Sequence, residues 1–268
     1  MMIAQPNPVS QPKLSEQFHR CFEVIPANTP ELKNIVYRIR YEVYCLETGF
    51  EDPRNFPDGL ERDEYDDHAL HALLRHRSSG EYAGCVRLIT DRLGYQDRLL
   101  FPFERFAGNS LRRNIIDPAT LPRGSFGEIS RLAVRSQFRR RANEQLEPGG
   151  NDLDIDVDKL QQEARRRVFP HIALGLYLAG AALAITHGMT GAFVMMEPRL
   201  ARHMQRYGII FRPAGEVVEY HGLRGPFYIS AQSLHKHLKP ELRGILDTIT
   251  AAMEMRPYHA QPFSQFAL

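Results

Sequence analysis

The chain has 268 residues, 43% of them apolar, long enough to bury a sizeable core and short enough to form one domain with insertions. A formal net charge of +2 excludes a global electrostatic pull on nucleic acid, so a charged partner has to be met by a local patch. The cysteines, Cys21, Cys45 and Cys85, are odd in number and scattered, which argues against a disulfide framework or a zinc pair and fits a reducing cytoplasm.

Residues 1–14 are rich in Pro, Gln and Ser and lack the basic and apolar regions of a secretory signal, so they read as a disordered leader before a single domain over 15–268. Leu32, Val36, Ile39, Val43 and Leu46 recur at helical spacing, which predicts an amphipathic helix over 30–46 with Thr29 as N-cap and Pro30 at its first position. Tyr37, Arg40 and Tyr44 share a neighbouring face of that helix and make it a candidate pocket wall. The acidic, aperiodic stretch 48–67 reads as a long loop of a kind that is uncommon unless it has a function.

Runs at 69–75 and 82–89, joined by Ser78-Ser79-Gly80, predict a β-hairpin, and a third strand is centred on 127–134. Residues 142–158 collect Asn, Pro, Gly and alternating Asp, as a surface insertion does. A helix over 159–187 comes next. Its most apolar part, 172–185, is about 14 residues and too short for a hydrocarbon core that needs about 20, so it reads as a buried helix. Strand 192–196, helix 198–207, strands near 209–212, 217–221 and 226–230, and a last helix over 231–253 complete the chain. Early antiparallel strands succeeded by α/β alternation imply an α+β fold, a mixed and mostly antiparallel sheet packed by helices as an α/β/α sandwich.

Glu128 is a candidate proton-transfer group, because a partly desolvated carboxylate can take a proton from a cationic group beside it. Spacing alone favours an ordinary salt-bridged strand glutamate. Ser130 shares the strand face of Glu128, while the period of two turns Arg131 the other way. No histidine and acid accompany Ser130, which makes it a positioning group rather than a covalent nucleophile. Arg40, Arg87 and Arg131 would be costly on half-buried elements without partners, and Asp63 and Asp66 are the evident ones.

Taken together, Arg40-x-x-x-Tyr44, Phe50, Asp63-Glu-Tyr-Asp66, Gly84-Cys-Val-Arg87-Leu and Gly127-Glu128-Ile-Ser130-Arg131-Leu resemble the signature of the acyl-homoserine-lactone synthases and related acyl-carrier-protein-dependent N-acyltransferases of the GNAT superfamily. The resemblance implies a GNAT-like fold and assigns Glu128 as the base, with Ser130 beside it. It places Arg40, Tyr44, Phe50, Asp63, Asp66, Arg87 and Arg131 around the substrate. It is sharp over 40–135 and general beyond. Where the lactone synthases usually carry Phe and Trp this chain has Tyr44 and Phe50, and it has no tryptophan. Its length and Gly222-Leu-Arg-Gly-Pro-Phe-Tyr-Ile229 look more like the N-acyl amino acid synthases and the acyltransferases associated with exosortase systems.

The implied reaction moves a fatty acyl group from acyl carrier protein, or acyl-CoA, to the amine of an amino acid or a similar small acceptor. Rival readings are a homoserine-lactone synthase using S-adenosylmethionine and a non-catalytic carrier-protein binding module. The stretch from Gln137 lacks the glycines of a coenzyme A pyrophosphate loop, which favours a phosphopantetheine thioester on a carrier, with no other cofactor expected. Arg135, Arg139, Arg140 and Arg141 form a candidate docking cluster for an acidic carrier, though a charge run is often a solvated face. Ile172 onward, with Phe193, Val194 and Met196, is the candidate acyl slot. No metal is expected. Asp152, Asp154, Asp156, Asp158 and Glu163 mimic a calcium loop but Val157 replaces its glycine, and His68, His71, His76, His235 and His237 lack the spacing of a ligand set.

Overall fold

The computed structural model describes residues 14–91, 100–122, 124–143 and 169–256, so the leader, most of the 142–158 insertion and the aspartates of the calcium-like run lie outside the described residues. Helix α1 (Leu14–Cys21) leads into β1 (Phe22–Pro26) and then α2 (Pro30–Arg40). The α2 start matches its sequence signals: Thr29 accepts a hydrogen bond from the Leu32 amide and Pro30 opens the helix. The predicted helix continues to Glu47, but over Tyr41–Glu47 it widens into a π-helix, a form often found at functional sites.

Strands β2 (Ala69–His76) and β3 (Tyr82–Thr90) form the expected antiparallel hairpin, with Gly80 at φ +73 in its turn. Helix α3 (Pro102–Ala107) precedes β4 (Phe126–Val134), α4 (Ser136–Asn143) and the apolar α5 (Phe169–Thr186). Strand β5 (Gly191–Met196), helix α6 (Pro198–Gln205), the two-residue strands β6 (Arg212–Pro213) and β7 (Val218–Glu219), and β8 (Leu223–Ser230) come after it. The helix expected over 231–253 is two helices, α7 (Ala231–His237) and α8 (Pro240–Glu254). Pro240 has no amide hydrogen to continue α7 and instead starts α8.

The sheet runs β1-β2-β3-β4-β5-β8-β6, with β7 paired to β8. Every pair is antiparallel except β4 with β5. Side-chain alternation divides the core between the two faces. Leu70, Ala72 and Leu74 of β2, Val86 and Leu88 of β3 and Ile129 of β4 pack under α5 with α1 and α8. Leu73, Cys85 and Ala133 turn to α2, against Val36, Ile39 and Val43. Helix α5 is the buried helix predicted from 172 onward: Ile172, Leu176, Leu178, Ala179, Ala182 and Leu183 are all buried. No helix among the described residues is long and apolar enough to cross a membrane.

Strand β4 departs from regular pairing on both of its edges. Its parallel pairing with β5 runs only from Phe126↔Gly191 to Ile129↔Val194, after which the strands part. Its pairing with β3 steps from Cys85↔Ala133 to Arg87↔Ser130, so one extra residue sits on β4, and Arg131 takes φ +48 at that bulge.

Candidate active site

The bulge corrects the sequence expectation for Arg131. An inserted residue in left-handed backbone breaks the period of two, so Arg131 and Ser130 lie on one side instead of alternating. Ala133 packing toward α2, an odd number of residues after Glu128, records the same phase shift. Glu128, Ser130 and Arg131 thereby line one small polar chamber.

Behind that chamber lies a buried network of the predicted charges. Arg40, inaccessible to solvent, bonds Glu61 through Nε and Asp66 through Nη1 at 2.6 Å. Arg87 donates to Asp63 at 2.6 Å, to Asp66 at 3.1 Å and, through Nε, to Ser130 Oγ at 3.0 Å. Arg131 meets Glu51 at 3.0 Å, Glu61 at 3.2 Å and Asp63 at 3.3 Å. The two guanidinium groups beside Asp66 outweigh its burial and hold its carboxyl well below the usual range. The 48–67 loop is thus a rigid supplier of carboxylates: Asp63 accepts from the Tyr65 amide at 3.0 Å, and Asp66 accepts from the Asp63 amide at 2.7 Å in a reciprocal cap.

Glu128 is the exception to this pairing. Its side chain is buried, and burial raises its pKa to about 8, only partly countered by a hydrogen bond from the Phe103 amide at the start of α3 (2.9 Å) and by Arg87 and Arg131 nearby. Gly127 holds β4 tight to β3 at this point, since a Cβ there would come within 2.4 Å of the Ile89 carbonyl. A carboxyl poised near neutrality in a cleft is suited to exchanging a proton. Ser130 accepts from Arg87, which leaves its own proton to donate; it has no base arranged to make it a nucleophile.

The polar chamber, about 50 Å³, is also lined by Phe50, Glu51, Tyr220, His221 and Arg224. It abuts an apolar cavity of about 400 Å³ where β4 and β5 part. Ile129, Leu132 and Val134 of β4, Val194 and Met196 of β5, Ala173, Leu174 and Tyr177 of α5, and Leu200 and Met204 of α6 wall that cavity. Val194, Met196 and α5 therefore stand where the acyl slot was expected, but Phe193 does not. By alternation it faces the opposite side, stacked on Phe103 with ring centroids 4.1 Å apart. Tyr44 donates to the Leu132 carbonyl at 2.9 Å and lies beneath Phe50, 6.5 Å between centroids, and both rings line both spaces.

The docking cluster is less free than its sequence implies. Arg135 bonds Glu42 at 2.7 Å and Arg139 bonds Glu47, both on the π-helix, while the side chains of Arg140 and Arg141 lie outside the described residues. Sequence reasoning missed Glu51, Glu61, Tyr220, His221 and Arg224 as site residues. The first two were submerged in an acid-rich loop, and the others belong to or adjoin the 222–229 segment, whose resemblance came without a role. His71, set aside as a metal ligand, is buried 3.5 Å from Asp66, with its ring held neutral by burial.

Known proteins share this fold. Residues 39–147 match the family model described as an acetyltransferase (GNAT) domain, a span that ends before α5. Among solved structures, TofI in a ternary complex with an inhibitor and MTA aligns with TM-score 0.52 at 21% identity, covering 83% of this chain and 99% of that one. The CoA-dependent acyl-homoserine lactone synthase BjaI, with SAM and isopentyl-CoA, aligns with TM-score 0.52 at 18% identity, covering 85% and 89%. At these identities the likeness is one of fold. A search of curated protein sequences gave no match.

Proposed function

We propose that this acyltransferase of the GNAT type moves a fatty acyl group from a carrier-bound thioester to the amine of an amino acid, giving an N-acyl amino acid. The observation that carries the reading is the junction itself. A buried carboxyl with its pKa near 8 faces a small polar chamber, and that chamber opens directly onto an apolar cavity of a volume typical of ligand sites. A head and a tail of opposite polarity meet there at Ser130.

Ionised Glu128 takes one proton from the acceptor ammonium. The freed amine attacks the thioester carbonyl, the N–C bond forms, and the tetrahedral oxyanion is met by backbone N–H groups along the parted strands. The C–S bond then breaks, and the departing thiolate takes the second amine proton. No acyl-enzyme forms. Acyl carrier protein is the preferred donor because α4 succeeds β4 without a glycine-rich loop, and acyl-CoA is the second. Such a donor places the reaction in the cytoplasm. An amino acid is preferred to S-adenosylmethionine as acceptor because the chain carries Tyr44 and Phe50, and no tryptophan, where the lactone synthases usually carry Phe and Trp.

The test is to supply the purified protein with long-chain acyl carrier protein, acyl-CoA, amino acids and S-adenosylmethionine and to identify lipid products by mass spectrometry. An N-acyl amino acid is expected, with Glu128→Gln lowering its rate by about 100-fold or more. An acyl-homoserine lactone would replace the acceptor. Wild-type turnover by the variant would remove Glu128 as the base.

A further inference from the structure

Arg224 stands apart from the arginines around it. Arg40, Arg87 and Arg131 are each held by two or more carboxylates, whereas Arg224 forms no ion pair among the described residues. Its Nε is buried without a hydrogen-bond partner, and its guanidinium lies over the Phe50 ring, 5.6 Å from the centroid. Strand β8 places it opposite Val218 of β7, where it lines both the polar chamber and the apolar cavity.

A buried N–H without an acceptor is destabilising, and a guanidinium is shaped to take a carboxylate on two parallel hydrogen bonds. The carboxylates lining the same spaces are otherwise placed: Glu128 accepts from the Phe103 amide. Glu51 is bonded to Arg131 and faces His221 at 3.6 Å, while Glu197 lies on the exposed rim of the cavity. Charge balance agrees. Glu51, Glu61, Asp63 and Asp66 outnumber Arg40, Arg87 and Arg131 by one, and Arg224 offsets that charge without contacting any of them. An incoming zwitterion leaves the balance unchanged. About 50 Å³ holds about four waters, so the chamber itself suits only the head of a small acceptor.

We infer that Arg224 receives the α-carboxylate of a small α-amino acid of the size of glycine or alanine, turning its amine toward Glu128; this rests on the acyl-transfer reading above. Arg224 is thus a specificity residue. It selects acceptors that carry a carboxylate over plain amines and amides.

The experiment measures binding of glycine and of glycinamide to the full-length protein by calorimetry, without acyl donor, for wild type, Arg224→Gln and Arg224→Lys. Glycine affinity should fall by about tenfold or more in Arg224→Gln and by less in Arg224→Lys, with glycinamide affinity equal in all three. Circular dichroism confirms that each variant is folded. The inference is overturned if glycine affinity stays within about twofold, if glycinamide weakens equally, or if neither glycine nor alanine binds the wild type. Acyl transfer is assayed separately with donor present. Product whose glycine KM ignores Arg224 overturns the inference and leaves the proposed function standing, whereas Arg224-dependent glycine binding without any product does the reverse.

Discussion

Glu128 carries an unusual pH signature because it is buried and, among the described residues, accepts a single backbone hydrogen bond. In the proposed mechanism its working form is the carboxylate, so the rate of acyl transfer should rise with pH, pass half its maximum near 8 and level off above that. Stability should move the opposite way. Below about 4.5 the group is protonated in both the folded and the unfolded chain. Between 4.5 and about 8 the unfolded chain releases a proton that the folded one keeps, so folding loses stability as pH rises through that window. Glu128→Gln cannot titrate, and its melting temperature should exceed that of wild type by a margin that widens from pH 5 to pH 8. A margin independent of pH would contradict the assigned protonation. Glu128 and its neighbours were legible in the sequence because the residue types and their order carry them. Arg224 was not, because its meaning lies in an unpaired atom, and pairing is a property of space.

At the scale of elements, the parting of β4 from β5 creates the apolar cavity, and α5 supplies much of its wall. Ala173 on α5 is only half-buried and lines that cavity, so a larger side chain there fills space without displacing core. Ala173→Phe should lower kcat/KM for the longest acyl donors by about tenfold or more while leaving the shortest within about twofold. Equal loss across chain lengths, measured over a donor series, would place the tail elsewhere. Most strands and helices were readable from the pattern, since apolar strand runs punctuated by turn residues and an all-apolar helix leave strong signals. The breaks in pattern were not. The Arg131 bulge costs one residue of register and has no glycine to announce it, and the α7–α8 break at Pro240 was overlooked inside a continuous apolar period. Phe193 falls on the other face for a related reason: on β5 one residue decides between the aromatic core and the wall of the apolar cavity.

For the whole molecule, the network tying α2, the 48–67 loop, β3 and β4 together is a global staple as well as a site. Removing one partner leaves a buried charge uncompensated, so Asp66→Asn should destabilise the fold by about 3–5 kcal/mol at pH 7. The depressed Asp66 carboxyl contributes stability that is present above its ordinary value of 3.8 and lost as pH falls toward its folded value. Denaturant melts should therefore show the gap between variant and wild type narrowing in acid. A gap that persists unchanged at pH 2 would assign the stabilisation to packing instead. The mixed sheet was foreseen from the order of elements, but which carboxylates meet which arginines was not, because four loop acids and three arginines admit many pairings and only the folded chain selects one.

The two spaces meet at a seam of six residues, Tyr44, Phe50, Ser130, Arg131, Met195 and Arg224, and otherwise share no wall. Glu128 and the ion-pair network behind it come from the chain before residue 135, and most of the apolar wall comes from α5 onward. On the proposed reading, a crossover between related genes in the 144–168 stretch would exchange most of the apolar wall, together with Arg224, and transmit Glu128 and its surrounding network intact. If the proposed reaction holds, substrate preference is heritable apart from proton transfer, and one lineage can diversify its products without rebuilding its chemistry.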